Sequence, residues 1–226
     1  MSNPPLPQES TTSVNKAQLA AEEVKAFYKN EFKGLMVKFF KQPLDGLVDI
    51  FSGDTQKIFN SSLILFGSVY LAYIIGLKLL TGELLNLGGC LKFSLVPVVT
   101  MIVISGASFA LKTISGKPDF KREILTGALA GIPLVLILLI VLLLKMFFGP
   151  SPGDLLNFNP MRAADDLGLA VIVGGALLFY SGLMLINVFQ QSLKAANTND
   201  ALAWYISPIS VFTSLYISLR IVIAVF

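Results

Sequence analysis

The chain has 226 residues, of which 54% are hydrophobic and only 14% are charged, and its formal net charge is +3. An average soluble domain carries about 25% charged residues, so this composition favours a membrane protein and argues against a nucleic-acid-binding protein. The sequence contains no His, the commonest acid/base group and metal ligand, and its one cysteine, Cys90, cannot form an internal disulfide.

The first 58 residues are polar or amphipathic and precede the first apolar stretch. Residues 1–13 are rich in Pro, Ser and Thr, which predicts a disordered N-terminal tail. Residues 14–58 predict amphipathic helices that lie at the membrane interface. The first of these, at 14–41, ends before Pro43, because proline cannot donate the backbone hydrogen bond that would continue the helix.

Aromatic and aliphatic residues along 14–41 recur every three to four positions, which is typical of one helical face. Basic residues fall mostly on the remaining surface. Such a helix fits the headgroup region of a bilayer, but its apolar face would equally fit the protein's own spans or a second copy of the chain. The sequence leaves these alternatives open.

Five apolar stretches follow, at 59–80, 93–112, 125–148, 167–189 and 202–226. About 20 apolar residues are enough to cross a bilayer as a helix, and a helix satisfies its backbone polar groups internally, as the bilayer core requires. A buried helix of a large soluble domain could explain one such stretch but not five. We therefore predict an all-α polytopic membrane protein, in which residues 59–226 form a five-transmembrane-helix bundle that follows an N-terminal amphipathic helix.

Lys and Arg residues concentrate on the side of the membrane that holds the N-terminus. That side receives the lysines of the N-terminal segment, the basic loop 112–122 and Lys194, whereas the other side receives only Lys78, Lys92, Lys145 and Arg162. The positive-inside rule then predicts a cytoplasmic N-terminus and a C-terminus on the opposite side. For a bacterial protein the membrane would be the inner, cell membrane.

Small residues mark the third and fourth spans. Gly127 and Gly131 form a small-xxx-small pattern, and Gly174 and Gly175 lie in the fourth span. Small residues let helix backbones approach closely within a bilayer. We predict that these glycines pack helices within one bundle, with dimerisation as the alternative.

Arg220 is the one charge well inside a predicted span. An intramembrane charge is a functional candidate and usually has a partner. Asp165 and Asp166, which open the fourth span on the same predicted side, are the candidates for an ion pair. The alternatives are a side chain that extends to the lipid phosphates, or a role in transport or proton transfer.

The N-terminal helix and the loop 112–122 together predict a basic, aromatic surface on the cytoplasmic side. Anionic lipid headgroups attract such a surface, and a protein partner or a second copy could use it too. The residues predicted for this membrane or partner face are Phe27, Phe32, Phe39, Lys29, Lys33, Lys117, Lys121 and Arg122.

The sequence offers no pattern that is typical of an enzyme. There is no His to act as a base, no Cys, Asp or Glu set with metal-ligand spacing, and no Gly-rich phosphate loop after a strand. We predict no catalytic, cofactor-binding or metal-binding residues.

Three segments give the chain a resemblance to a known family. They are FFKQPLDGLVDIFSG (39–53), SGKPDFKREILTGALAGIPLVLIL (115–138) and LFYSGLMLINVFQQSLKAANTNDALAW (178–204). In them the chain resembles the Yip family of five-span membrane proteins and its bacterial-type relatives. The Asp-Leu-Tyr-Gly-Pro signature of the eukaryotic members does not occur, so the resemblance does not imply Rab binding. The resemblance covers about residues 39–226. It implies five helices, a cytoplasmic N-terminus, no enzyme activity, and a role in membrane organisation or as a subunit of a membrane complex.

The leading functional prediction is therefore a non-enzymatic, Yip-like membrane protein that engages lipid or a partner through its cytoplasmic amphipathic face. The alternative is a small permease, or a transporter or channel subunit. A transporter should bring polar residues together at the midplane, often from two repeated halves, whereas five spans cannot divide equally and their interiors are nearly free of charge.

Overall fold

A computed structural model describes residue 18 and residues 21–115, 118–148, 160–196 and 198–225. For residues 115, 147–148, 160–167, 169–170 and 225 it describes the backbone only. The predicted tail at 1–13, and Lys117 of the predicted partner face, lie outside the described residues.

The described residues are almost entirely helical. A helical stretch at 21–26 continues into a π-helical turn, Phe27–Glu31. The α-helices that follow are α1 (Phe32–Lys41), α2 (Asp45–Phe51), α3 (Thr55–Thr81), α4 (Leu87–Phe93), α5 (Leu95–Ser115), α6 (Phe120–Phe148), α7 (Pro160–Ala195) and α8 (Asp200–Val225). The chain divides into two compact units, Met1–Gly46 and Leu47–Phe226.

The described part of the first unit is helical over 21–41, within the segment 14–41 for which the aromatic periodicity predicts a helix. Residues 14–17, 19 and 20 of that segment lie outside the described residues. In the π-helical turn the N–H of Phe32 bonds the carbonyl of Phe27, one residue further back than in an α-helix. The helix ends at Lys41, and the Gln42 N–H donates the last bond to the Lys38 carbonyl at 3.1 Å. Pro43 follows and has no N–H to continue the ladder.

The second unit contains five helices that are long and apolar enough to cross a membrane, over Thr55–Thr81, Leu87–Ile114, Phe120–Met146, Val171–Ala195 and Asp200–Ala224. The predicted fold class is therefore confirmed: the chain is an all-α, multi-pass integral membrane protein. The helices extend past the predicted apolar stretches, and α7 has 36 residues.

The second span contains a short helix that the sequence pattern does not predict. The Asn86 side chain accepts a hydrogen bond from the Gly89 N–H at 2.7 Å and so caps the start of α4. Ser94 separates α4 from α5. Pro97 then lies in the first turn of α5, where its missing N–H removes no bond of the helix. Pro133 and Pro208 lie in the interior of α6 and α8.

The most apolar helix is also the most buried one. Helix α6 packs against α3, α5 and α7, and α8 closes the bundle against α5 and α7. In the most apolar 18-residue stretch of α6, 56% of the residues are buried, whereas the buried share of the corresponding stretch is 17–33% in the other four spans. A helix that is apolar all round can occupy the centre of a bundle, so α6 forms the core on which α3, α5 and α7 pack.

Tyr73 connects α3 to α6. Its hydroxyl donates to the Leu134 carbonyl at 2.7 Å, one residue after Pro133. The sequence predicts that Tyr70 and Tyr73 face other helices rather than the membrane interface, and for Tyr73 this hydrogen bond confirms it.

The predicted packing glycines have different environments. A Cβ on Gly127 would overlap the Met101 carbonyl oxygen and Ser105 Oγ of α5. A Cβ on Gly131 would approach Val69 Cγ2 to 2.6 Å, and one on Gly174 would approach Leu144 Cδ1 to 2.7 Å. At Gly175, by contrast, no atom of the described chain lies within 4 Å of a Cβ position. Three of the four glycines therefore lie at close helix contacts, and Gly175 does not.

Candidate functional site

Two opposite charges meet inside the bundle, at the end where α3, α6 and α8 begin and α5 and α7 end. We call this the polar end. Lys112 lies in the last turn of α5 and Glu123 in the first turn of α6. The Lys112 Nζ lies 3.0 Å from Glu123 Oε1 and 2.9 Å from Oε2, and the two side chains are only 5% and 3% exposed.

Three hydroxyl groups surround this ion pair. Ser108, one turn before Lys112, donates to Glu123 Oε2 at 2.6 Å. Ser192 of α7 accepts a hydrogen bond from Lys112 Nζ at 2.7 Å, and its Oγ lies 2.6 Å from that of Thr126. The ion-pair cluster (Ser108, Lys112, Glu123, Thr126 and Ser192) therefore joins three spanning helices.

Both charged groups of the cluster have hydrogen-bond partners. An ammonium has three donors, and those of Lys112 have three acceptors, both oxygens of Glu123 and Ser192 Oγ. The carboxylate accepts from Lys112 and from Ser108. A buried charge is tolerable only when it is paired and hydrogen-bonded, and this pair is both.

Because these hydrogen bonds already occupy both charged groups, they limit the chemistry that the cluster can perform. Ser192 beside Lys112 has the composition of a nucleophile and its base, but a base needs a free lone pair, and a lysine ion-paired to a carboxylate is an ammonium. Ser192 is also fully buried. The cluster is therefore suited to fixing the register of α5, α6 and α7, and not to attacking a substrate.

An aromatic ring covers the cluster. The Lys112 Nζ lies 5.9 Å from the centroid of the Phe51 ring, at the end of α2. Phe51 and Leu47 are both buried. Residues 47–51, which precede the first span, thus pack on the bundle close to its buried charges.

Other charged residues form a partly exposed rim at the polar end. Lys121 donates from Nζ to Gln56 Oε1 at 2.8 Å. The Nε of Arg122 lies 3.6 Å from Asp119 Oδ2. Lys194 and Asp200, between α7 and α8, are paired at 3.4 Å. The structure thus brings Lys121 and Arg122 of the predicted partner face together at the start of α6.

Apart from Lys117, which lies outside the described residues, the remaining residues of the predicted face lie in the first unit and do not share one environment. Phe27 and Phe39 are buried, Phe32 is half-buried, and Lys29 and Lys33 are exposed. Tyr28 and Phe40, at 42% and 50% exposure, are the aromatic residues of this unit that solvent or lipid can reach most easily. A contact face on this unit would therefore use Tyr28 and Phe40 rather than Phe27 and Phe39.

The predicted intramembrane ion pair involves side chains that lie partly outside the described residues. Asp165 and Asp166 belong to the backbone of α7, but their side chains are among those not described. Arg220 is exposed on α8, and its Cζ lies 5.9 Å from the ring centroid of Tyr216, one helical turn earlier.

The buried hydroxyl groups elsewhere in the spans mostly bond their own helix. Each donates to the carbonyl four residues earlier, at 2.6–3.0 Å: Ser62, Ser105, Ser181, Ser207 and Ser218. Within the described ranges, no three Cys, Asp or Glu side chains come together as a metal site would require. These five hydroxyl groups are therefore already occupied, whereas Arg122 Nε and Thr198 Oγ1 are buried without a hydrogen-bond partner among the described residues.

Sequence reasoning missed the Lys112–Glu123 pair. From the sequence alone Lys112 counts only toward the orientation, and Glu123 has no predicted role. A usable signal exists, because opposite charges at the facing ends of two consecutive spans, joined by a short loop, come close together when the spans are antiparallel. Ser108 and Thr126, about one turn into each span, would have extended that signal.

The chain matches no family model, no curated protein and no solved structure.

Proposed function

We propose that this chain is a non-enzymatic membrane protein of the Yip-like type, which acts in membrane organisation or trafficking, or as a subunit of a membrane complex, through exposed residues of its N-terminal unit. The observation that carries the proposal is the closed ion-pair cluster. Its buried charges satisfy one another, so the groups left for recognition are on the surface. The resemblance in segments 39–53, 115–138 and 178–204 supports the same function.

Affinity purification in mild detergent, followed by mass spectrometry of co-eluting proteins, tests this proposal. The test variant changes Tyr28, Lys29, Lys33 and Phe40 to Ser, all of which are exposed. The control changes Leu84 and Leu87 to Ser, which are 93% and 63% exposed between α3 and α4. We expect specific partners to fall at least tenfold in the test variant and to remain in the control. Identical partner lists for all three proteins would refute the proposal.

One observation favours the alternative, a small permease or a channel subunit. Ionisable residues within membrane spans often mark ion pathways, and Lys112 and Glu123 lie within or at the end of spans. This function requires that the purified protein, reconstituted in liposomes, passes ions or protons, and that Glu123→Gln abolishes the flux. The hydroxyl groups that bond their own helices argue against such a path.

The proposed orientation puts the N-terminus in the cytoplasm and the polar end on that side. Cys90, the one cysteine of the chain, is fully buried and should contribute little background labelling. Leu84 is 93% exposed near the opposite end, and Ile114 is 84% exposed at the polar end. In intact cells we expect a membrane-impermeant maleimide to label Leu84→Cys, and to label Ile114→Cys only after permeabilisation. The reverse pattern would overturn the orientation.

A further inference from the structure

Lys121 keeps a positive charge that its described contacts do not neutralise. Its Nζ donates to the amide oxygen of Gln56 at 2.8 Å and lies 5.9 Å from the ring centroid of Phe59. Both partners, on the first two turns of α3, are uncharged. The ammonium is thus held in place between α3 and α6 by neutral groups, and it is exposed.

The nearby carboxylates are occupied by backbone N–H groups. Asp119 Oδ1 accepts from the Lys121 N–H at 3.1 Å, at the start of α6, and Asp119 Oδ2 lies 3.6 Å from Arg122 Nε. Asp54 Oδ1 accepts from the N–H groups of Gln56 and Lys57, at 3.0 and 2.9 Å, at the start of α3. These carboxylates offset the positive ends of two helix dipoles. The side chains of Lys121 and Arg122 therefore give the start of α6 a positive potential, which Asp119 only partly compensates.

Exposed apolar side chains lie at the same end of the bundle as these cations. Phe120 is 64% exposed and Ile114 is 84% exposed, at the start of α6 and near the end of α5. The Phe120 ring meets that of Phe109 edge-on at 6.2 Å. Cations next to exposed aromatic and aliphatic residues at the ends of spans are suited to a phospholipid, since the headgroup and the first part of an acyl chain need both kinds of contact.

We propose that Lys121 and Arg122, together with Phe120 and Ile114, form a binding site for an anionic phospholipid at the polar end of the bundle. Lys121, positioned by Gln56 and Phe59, and Arg122 bind the phosphate. Phe120 and Ile114 contact the apolar part of the lipid. The proposal rests on the proposed membrane-organising function, because it supplies a lipid partner for that function. The site itself consists of residues of the bundle and not of the N-terminal unit.

Native mass spectrometry of the detergent-purified protein, titrated with phosphatidylglycerol or phosphatidylcholine, tests the site. We expect the wild type to bind phosphatidylglycerol more tightly than phosphatidylcholine. Lys121→Gln should weaken phosphatidylglycerol binding about fivefold, the equivalent of about 1 kcal/mol per cation, with phosphatidylcholine binding unchanged. Arg122→Gln should weaken it less, because Asp119 already pairs with Arg122. Equal affinity of the wild type for both lipids, or no effect of Lys121→Gln, would overturn the proposal.

Lys194→Gln is the matched control, because it removes the same charge at the same end from a lysine that is already paired with Asp200. It should leave phosphatidylglycerol binding unchanged, and an equal loss in this variant would show that only overall charge matters, which contradicts a specific site. Glycerol phosphate in excess should not displace the lipid; if it does, the site binds free phosphate and the lipid assignment is wrong. Since the protein-partner test changes different residues, either proposal can fail while the other holds.

Discussion

We expect the Glu123→Gln variant to lose about 3–5 kcal/mol of unfolding free energy, because it leaves the Lys112 ammonium buried without its counter-charge. The amide still accepts one hydrogen bond, but it presents an NH₂ group where a carboxylate oxygen accepts from Lys112 and Ser108. Lys112→Met should cost a similar amount, because the carboxylate is then the unpaired charge. Equilibrium unfolding in mixed micelles with an increasing fraction of dodecyl sulphate measures both losses.

The double variant Lys112→Met with Glu123→Leu shows whether the single variants lose stability because a buried charge is left unpaired or because any substitution at these positions disturbs the packing. Replacing both members of a buried pair by apolar residues of similar volume is often nearly neutral. We therefore expect the double variant to be more stable than either single variant. If its loss equals the sum of the two single losses, the charges do not interact, and the cluster does not fix the register of α5, α6 and α7.

The second large effect is expected at Gly127. In the Gly127→Ala variant the new methyl group would overlap a backbone oxygen, that of Met101, as well as Ser105 Oγ. A backbone atom cannot rotate away as a side chain can, so α5 and α6 must separate, and overpacking of this kind costs about 1–3 kcal/mol. The same unfolding measurement in mixed micelles detects the loss.

Gly175→Ala is the matched control for Gly127→Ala. It makes the same chemical change in a spanning helix, at a position where no described atom lies within 4 Å of the new Cβ. We expect no loss of stability, since alanine favours a helix over glycine by about 0.8–1.0 kcal/mol in helix hosts. Equal losses at both positions would mean that the α5–α6 contact is not what makes Gly127 sensitive.

These effects bear directly on function. If the ion-pair cluster is a fixed connection between three spans, the bundle is a rigid support for its exposed residues, and partner or lipid binding should survive in the stable double variant. If the cluster is instead part of an ion pathway, the double variant should be stable but should pass no ions in the liposome assay. The stability of the single and double variants, measured together with binding and ion flux, thus shows whether the cluster is a rigid structural connection or part of an ion pathway.

The amino-acid sequence alone determines the elements of this protein. Twenty or so consecutive apolar residues can satisfy a bilayer only as a helix, so five such stretches determine five spans. The proline at position 43 ends the N-terminal helix for an equally local reason, its missing N–H. Among the described helices, α4 is not predicted, because its start depends on a side-chain cap from Asn86 that an apolar pattern does not reveal.

Only the tertiary structure decides which residues within those elements matter. Gly127 and Gly175 are both glycines within spans, and Phe39 and Phe40 are neighbours in one helix, yet one of each pair is packed and the other exposed. In the sequence, Lys112 and Glu123 cannot be distinguished from ordinary loop charges. The fold brings them together, beside Ser192 of α7. The physical reason is that local sequence specifies a helix through its own backbone bonds, whereas close packing and charge pairing depend on which helix lies opposite.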